Sequence, residues 1–192
     1  MNKIIAITGL TGCGKTIVSD ELKKRNYGFI RFGQITLDLV REKGLEPTEA
    51  NEKGIREGVR KEHGMAAFAI LNLPKIENLL GERNVCIDGL YSWSEYKILK
   101  EKFKDDFFVI AVYAPPKLRY NRLATRTWDK EKDKKMINRP ATIESAKSRD
   151  FAEIENIEKG GPIAYADYTI LNTKDINFVY EQLSEIIKDI EK

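Results

Sequence analysis

The chain has 192 residues, of which 33% are charged and 42% hydrophobic, with a formal net charge of +3. That length fits one domain with a single substantial core. No apolar run is long enough for a membrane-spanning helix, and the two cysteines, Cys13 and Cys86, do not form a disulfide framework. Helical membrane proteins, disulfide-stapled secreted modules and low-complexity chains are thereby excluded, and the cytoplasm is the expected compartment.

In chain order, the first expected strand is Ile4–Thr8, and the glycine-rich segment "GLTGCGKT" follows at 9–16. It matches the phosphate-binding pattern G-x-x-x-x-G-K-[ST] without a mismatch. Gly9, Gly12 and Gly14 let the backbone turn tightly against a polyphosphate, while Leu10, Thr11 and Cys13 complete the cradle of backbone amides. Lys15 is placed to reach the β- and γ-phosphates and the Thr16 hydroxyl to ligate Mg²⁺. Cys13 has two readings: a thiol activated by a helix N-terminus, or a small residue tolerated in the turn.

A helix is expected over 16–25, a second strand over 27–32, and then a long connection with a helical pattern over 48–79. Arg56 and Arg60 stand four apart on one face of that pattern, suited to an acceptor phosphate or to pairing with Glu52, Glu57 and Glu62. His63, the single histidine, falls at a helix end before Gly64 and reads as a capping or surface residue.

The third strand, Val85–Asp88, ends in a carboxylate that is either a Mg²⁺ ligand opposite Thr16 or a turn residue before Gly89. A helix over 93–103 and a strand at Phe107–Tyr113 come next. Then a helix over 115–127 carries Arg119, Arg122 and Arg126 at i, i+3 and i+7. A polar segment at 127–140, ending near Arg139, reads as a surface loop or a lid. A helix over 141–158 carries Arg149, and a strand at Tyr168–Leu171 and a helix over 175–191 complete the chain. Between residues 117 and 149 eleven Lys or Arg stand against four acidic residues. Converging guanidiniums of this kind suit phosphoryl transfer, where charge spreads over the transferring oxygens. Strands alternating with helices define an α/β fold with a mostly parallel sheet, whose ligands sit at the carboxyl ends of the strands.

The motifs "GLTGCGKT", "FGQ", "GLEPT", "HGMAAFA", "CIDG", "APPKLRYNR" and "YADYTILN" occur in this order. Together they resemble an archaeal-type nucleotide-kinase-like P-loop family related to adenylate kinase and dephospho-CoA kinase. The resemblance spans nearly the whole chain. It implies a nucleoside-monophosphate-kinase-like fold with a five-stranded parallel sheet in one domain. The core would take 1–32, 81–126 and 141–192, with a helical acceptor-binding insert at about 33–80 and a lid at about 127–140. ATP and Mg²⁺ are the implied cofactors. Arg122 and Arg126 match the first lid arginines and Arg149 a second-arm arginine, so the catalytic set is Lys15, Arg122, Arg126 and Arg149. Asn172 would lie by the adenine pocket, and the acceptor-binding set is Gln34, Arg56, Arg60, Asp88, Tyr91 and Arg139.

The chain departs from the family's "GDxxR" after the second strand, where Gln34 replaces the aspartate and Leu37 the arginine. Glutamine cannot take a proton from a hydroxyl acceptor, whereas an anionic phosphate acceptor needs no base. This tilts the expectation toward a nucleoside monophosphate, with Arg31, Arg56 or Arg60 replacing the lost arginine and Asp38 a possible substitute base. The alternatives are dephospho-CoA kinase and a nucleotide-binding ATPase or switch without a small acceptor. Nucleic-acid binding through Tyr120 and Trp128 competes with Asp129, Glu131 and Asp133 in the same stretch. Nothing in the sequence demands a membrane, an obligate protein partner or a dimer.

Overall fold

The computed structural model describes residues 2–127 and 140–192. Five parallel strands form one sheet in the order β2–β3–β1–β4–β5: β1 (Ile4–Thr8), β2 (Gly28–Arg31), β3 (Val85–Asp88), β4 (Phe107–Tyr113) and β5 (Tyr168–Leu171). β1 is central, pairing Ile4 with Val85 on one side and with Phe107 on the other. All five of its residues are buried, as expected of a strand covered on both faces.

Alternation along β1 divides the core into two layers. Ile4 and Ala6 pack with Phe68, Ile76, Leu99 and Val109, under α4 (Ala67–Leu80) and α5 (Trp93–Phe103). Ile5 and Ile7 pack with Val18, Leu22, Val179 and Leu183, under α1 (Lys15–Lys24) and α9 (Ile176–Ile190). The remaining helices are α2 (Gln34–Glu42), α3 (Glu49–His63), α6 (Pro116–Ala124), α7 (Ile143–Glu155) and the short α8 (Gly160–Ala164).

Four of the five expected strands carry the observed bounds, and β2 is shorter by a residue or so at each end. The helical pattern over 48–79 is not one helix. It breaks at Gly64, whose φ of +81° caps α3, and α4 restarts at Ala67. α2 begins directly after β2, and α8 had no periodic signature because five residues are too few to show one. The helix expected over 115–127 stops at Ala124, where the backbone amide and side-chain hydroxyl of Thr125 both donate to the Asn121 carbonyl. Arg126 therefore lies past the helix end, not on its face. The expected lid residues 128–139, including Trp128, Arg139 and the acidic residues among them, lie outside the described residues. No helix among the described residues is long and apolar enough to cross a membrane.

α4 belongs to the sheet's own core: Ile76 is fully buried while Ile70, on the same helix, is 40% exposed. Ile76→Ala is expected to cost about 2–5 kcal/mol in urea denaturation, and Ile70→Ala under about 1 kcal/mol. Equal, small costs would show that α4 moves independently of the sheet.

Candidate active site

The phosphate-binding turn sits at the carboxyl end of β1, beside the carboxyl ends of β3 and β4. Its glycines are required by geometry. Gly9, Gly12 and Gly14 have φ of +137°, +80° and +104°, and a Cβ on Gly14 would fall 2.1 Å from Asn172 Nδ2. A Cβ on Gly9 would fall 2.4 Å from the Val112 carbonyl oxygen. Lys15 Nζ lies over the turn, donating to Gly9 O at 2.8 Å and Leu10 O at 3.4 Å. Burial works against its charge, but the acidic groups of Cys13, Tyr91, Glu153 and Asp88 outweigh it and raise its pKa. Thr16, in the first turn of α1, is exposed. Cys13 is buried among the α1 and α9 side chains, which favours its packing reading.

Asp88 ends β3 opposite Ile7 of β1 and Arg31 of β2. Burial raises the pKa of its carboxyl group, while Lys15 and Arg31 pull it back. No side-chain hydrogen bond occupies that carboxylate among the described residues. The pair Thr16 and Asp88 fits Mg²⁺, which takes one or two protein oxygens and completes its shell with water and phosphate oxygens. No cluster of three or more His, Cys, Asp or Glu side chains suited to a metal occurs among the described residues.

The arginines of α6 have separate roles. Arg119 is buried: it donates to Thr11 O of the phosphate turn at 2.8 Å and to Ala114 O at 3.0 Å, and it pairs with Asp150 of α7 at 2.7 Å. It is a strut. Tyr120 donates its hydroxyl to the same Asp150 at 2.9 Å, so its polar end faces the protein. Arg122 donates to Asn172 O at 3.1 Å and Oδ1 at 3.3 Å, and Asn172 Nδ2 donates in turn to Cys13 O at 2.8 Å. Asn172 is thus buried and ties Arg122 to the phosphate turn.

Arg149 of α7 joins Glu153 at 3.0 Å, and Glu153 also holds Lys159 at 2.5 Å. Lys159 is buried, with its ammonium 4.7 Å from the Tyr91 ring centroid. Burial would raise the pKa of the Glu153 carboxyl group, but Lys159, Arg149 and Lys15 together hold it well below the usual range. Burial pushes the Lys159 ammonium down against the attraction of Glu153. Tyr91 lies across the strand ends, its ring within 2.9 Å of where a Cβ on Gly89 would stand.

Among the residues expected to bind an acceptor, Gln34 Nε2 donates to Asp38 Oδ1 at 2.9 Å, so a carboxylate stands one helical turn beyond the substituted position. Arg56 pairs with Glu52 at 3.5 Å, the alternative its spacing allowed. Arg60 stacks 4.9 Å from the centroid of Phe68, and its Nε is buried without a hydrogen-bond partner among the described residues. Arg31 Nη1 is in the same condition. Glu95 is fully buried; its Oε2 accepts from Tyr91 N and Ser92 N, while its Oε1 has no hydrogen-bond partner among the described residues. Burial pushes its pKa up to about 7, against those two backbone bonds and the charges of Arg60 and Lys159. The pattern Ser92-x-x-Glu95 is a capping box legible in sequence. Nothing local announces Glu153 or Lys159.

A phosphate turn on the central strand, a carboxylate ending the neighbouring strand and arginines on two following helices define a P-loop kinase-like domain. The profile of a family described as an AAA domain matches residues 5–151. Over 189 residues the chain is 30% identical to the UPF0200 protein of Thermococcus kodakarensis, covering 97% of each. The chain belongs to the UPF0200 family, within that AAA-domain class. Among solved structures it resembles TT1252 from Thermus thermophilus, with a TM-score of 0.64 and 15% identity over 98% of this chain and 97% of the other. It also resembles shikimate kinase from Bacteroides thetaiotaomicron, with a TM-score of 0.58 and 14% identity over 99% of both chains. At these identities the likeness is one of fold.

Because the pKa of Glu95 is raised by folding, its contribution to stability is full below its ordinary value near 4.5 and is lost as pH rises through 7. Glu95→Gln keeps the cap acceptor but does not titrate. Its stability relative to the unchanged chain is expected to grow between pH 4.5 and 7, by up to about 3 kcal/mol. A difference in chemical denaturation that is flat with pH would refute this account of Glu95.

Proposed function

We propose that the chain is a Mg²⁺-dependent phosphotransferase that passes the γ-phosphoryl group of ATP to a nucleoside monophosphate. The observation that carries the choice of acceptor is the pair of buried guanidinium nitrogens, Arg31 Nη1 and Arg60 Nε, without protein partners among the described residues. A buried guanidinium N–H without an acceptor is costly, and a bound anion offsets that cost. Leu37 cannot grip the acceptor phosphate as the family's arginine would, and Arg31 and Arg60 are placed to do so; Arg56 already has Glu52.

In this reading the backbone amides from Gly9 to Thr16 would cradle the ATP phosphates, and Thr16 and Asp88 would hold Mg²⁺, which when bound would supply neutralisation of phosphate charge. Lys15, Arg122, Arg126 and Arg149 balance the charge that spreads over the equatorial oxygens. An acceptor phosphate oxygen forms the new bond to the γ-phosphorus. The bridging bond to the β-phosphate breaks, and its electron pair leaves on ADP. The attacking oxygen is already anionic, so Gln34 in place of aspartate does not impair the step.

A second reading rests on the Gln34–Asp38 hydrogen bond. Asp38 could serve as the base for a hydroxyl acceptor such as dephospho-CoA, and Gln34→Asp would then preserve or raise activity on that acceptor.

The test is ATP-to-ADP conversion with Mg²⁺ against the ribo- and deoxyribonucleoside monophosphates, dephospho-CoA and a blank. ADP formation is expected in a monophosphate well. Lys15→Met should abolish it in a folded protein, and Arg60→Ala should raise the acceptor KM about tenfold, as loss of a charge-assisted contact predicts. Turnover only with dephospho-CoA would move the assignment to the hydroxyl acceptor. ADP at blank level throughout, with ATP bound, would identify a nucleotide-binding switch.

A further inference from the structure

We propose that the Tyr91 hydroxyl is a contact to the γ-phosphate: it donates a hydrogen bond to the phosphoryl group that ATP gives up, and does not grip the acceptor. The proposal deepens the phosphotransferase reading and rests on the phosphate turn binding ATP.

The peptide that places Tyr91 is held at both ends. Its carbonyl, Leu90 O, accepts from the buried Thr8 Oγ1 at 2.9 Å, and its amide, Tyr91 N, donates to Glu95 Oε2 at 2.9 Å. Thr8 is the last residue of β1, directly before the phosphate turn, and the amides of Gly89 and Leu90 both donate to Ile7 O at 3.2 Å. The segment leading into Tyr91 is therefore laced to the strand that carries the turn. The side chain is fixed as well. Lys159 Nζ lies 4.7 Å from the ring centroid, and the hydroxyl end of the ring crosses the backbone at two strand ends. A Cβ on Gly89, after β3, would fall 2.9 Å from Tyr91 Oη, and one on Gly33, after β2, would fall 3.5 Å from it.

This packing uses the ring and leaves the hydroxyl unused. A phenylalanine would meet the same glycines and the same ammonium. A tyrosine hydroxyl under cover ordinarily finds a partner, yet Tyr91 Oη makes no hydrogen bond among the described residues. The sheet order β2–β3–β1 puts it on the β2 side of the turn, where β2 ends in Arg31 and α2 begins with Gln34. It is within electrostatic range of two cations: it favours the charged form of Lys15 ahead of Glu153 and Asp88, and it supports the charge of Arg60. Lys15 is the residue that reaches the β- and γ-phosphates. The γ-group has to face the acceptor residues, so an O–H on their side of the lysine meets the distal phosphoryl oxygens. The bond is charge-assisted, and the tyrosine keeps its proton throughout.

The test is Tyr91→Phe, which keeps the ring and removes one oxygen. Dissociation constants for ATP and ADP with Mg²⁺ are measured by calorimetry, so no acceptor is needed. The ATP constant is expected to rise about tenfold, as loss of a hydrogen bond to a charged group predicts, and the ADP constant by less than about twofold. The urea midpoint is expected to hold, because the hydroxyl serves no protein group. With a monophosphate that is turned over, kcat should fall while the acceptor KM stays. Equal weakening of both nucleotides, an undiminished preference for ATP, or a lowered urea midpoint would each overturn the proposal. So would a raised acceptor KM with the preference intact, which would return Tyr91 to the acceptor-binding set. Loss of preference in the variant without acceptor turnover anywhere in the panel would leave the contact standing and remove the kinase reading.

Discussion

Everything at the site depends on how the carbonyls of the phosphate turn are held. In a trans peptide the C=O and the following N–H point in opposite directions, so fixing one aims the other. Asn172 holds Cys13 O and Arg119 holds Thr11 O, which directs the amides of Gly14 and Gly12 away from those donors. The donors come from the loop after β5 and from α6, far from the turn in sequence. The cradle is thus fixed from outside by residues that have no need to touch the ligand. The glycines make this possible, since a Cβ on Gly14 would occupy the place of the Asn172 amide.

The same economy governs the charges. Lys15 and Arg119 donate to carbonyls of the turn, Arg122 donates to the Asn172 that holds the turn, and Arg149 donates to Glu153, so each is oriented by a protein acceptor. Arg119 is fully committed to Asp150 and to backbone carbonyls, so it acts as a brace. Arg149 shares its carboxylate with Lys159, and Arg122 uses a backbone carbonyl and an amide oxygen. Around α2 and α3 the balance is different. Arg31 and Arg60 have buried nitrogens with no partner among the described residues, and Glu95 has an unmatched oxygen. Around the phosphate turn the unmatched atom among the described residues is an acceptor, Asp150 Oδ1, whereas around Arg31 and Arg60 it is the cationic donors that lack partners.

How much of this the sequence discloses follows from the range over which each feature is determined. The phosphate turn and the strands were legible because each is a short contiguous pattern, apolar and β-branched residues ended by glycines at fixed offsets. The division of the segment 48–79 was not, because a helical period continues on paper through Gly64, whose left-handed backbone stops it in space. Periodicity placed Arg119 and Arg122 on one face but could not say that the first turns inward to Asp150 and the second toward Asn172. Glu153 and Lys159 escaped notice because their pairing joins a helix to the chain beyond its end, at no helical spacing. Glu95 carries a readable capping signal, though not its unmatched oxygen, which depends on complete burial in the folded chain.

The central position of β1 bears on how the protein is made. Its neighbours in the sheet begin at Val85 and Phe107, so Ile4 to Ile7 have no strand to pair with until about eighty further residues have been synthesised, and the second only after about a hundred. At a translation rate of about 5–20 residues per second this apolar strand waits for several seconds at least. A parallel sheet assembled from such distant partners also closes slowly once they are present. The strand that carries the phosphate turn is therefore exposed to aggregation and to capture by chaperones during synthesis, so the yield of folded protein should depend on translation speed through α4 and β3 more than through any later part of the chain.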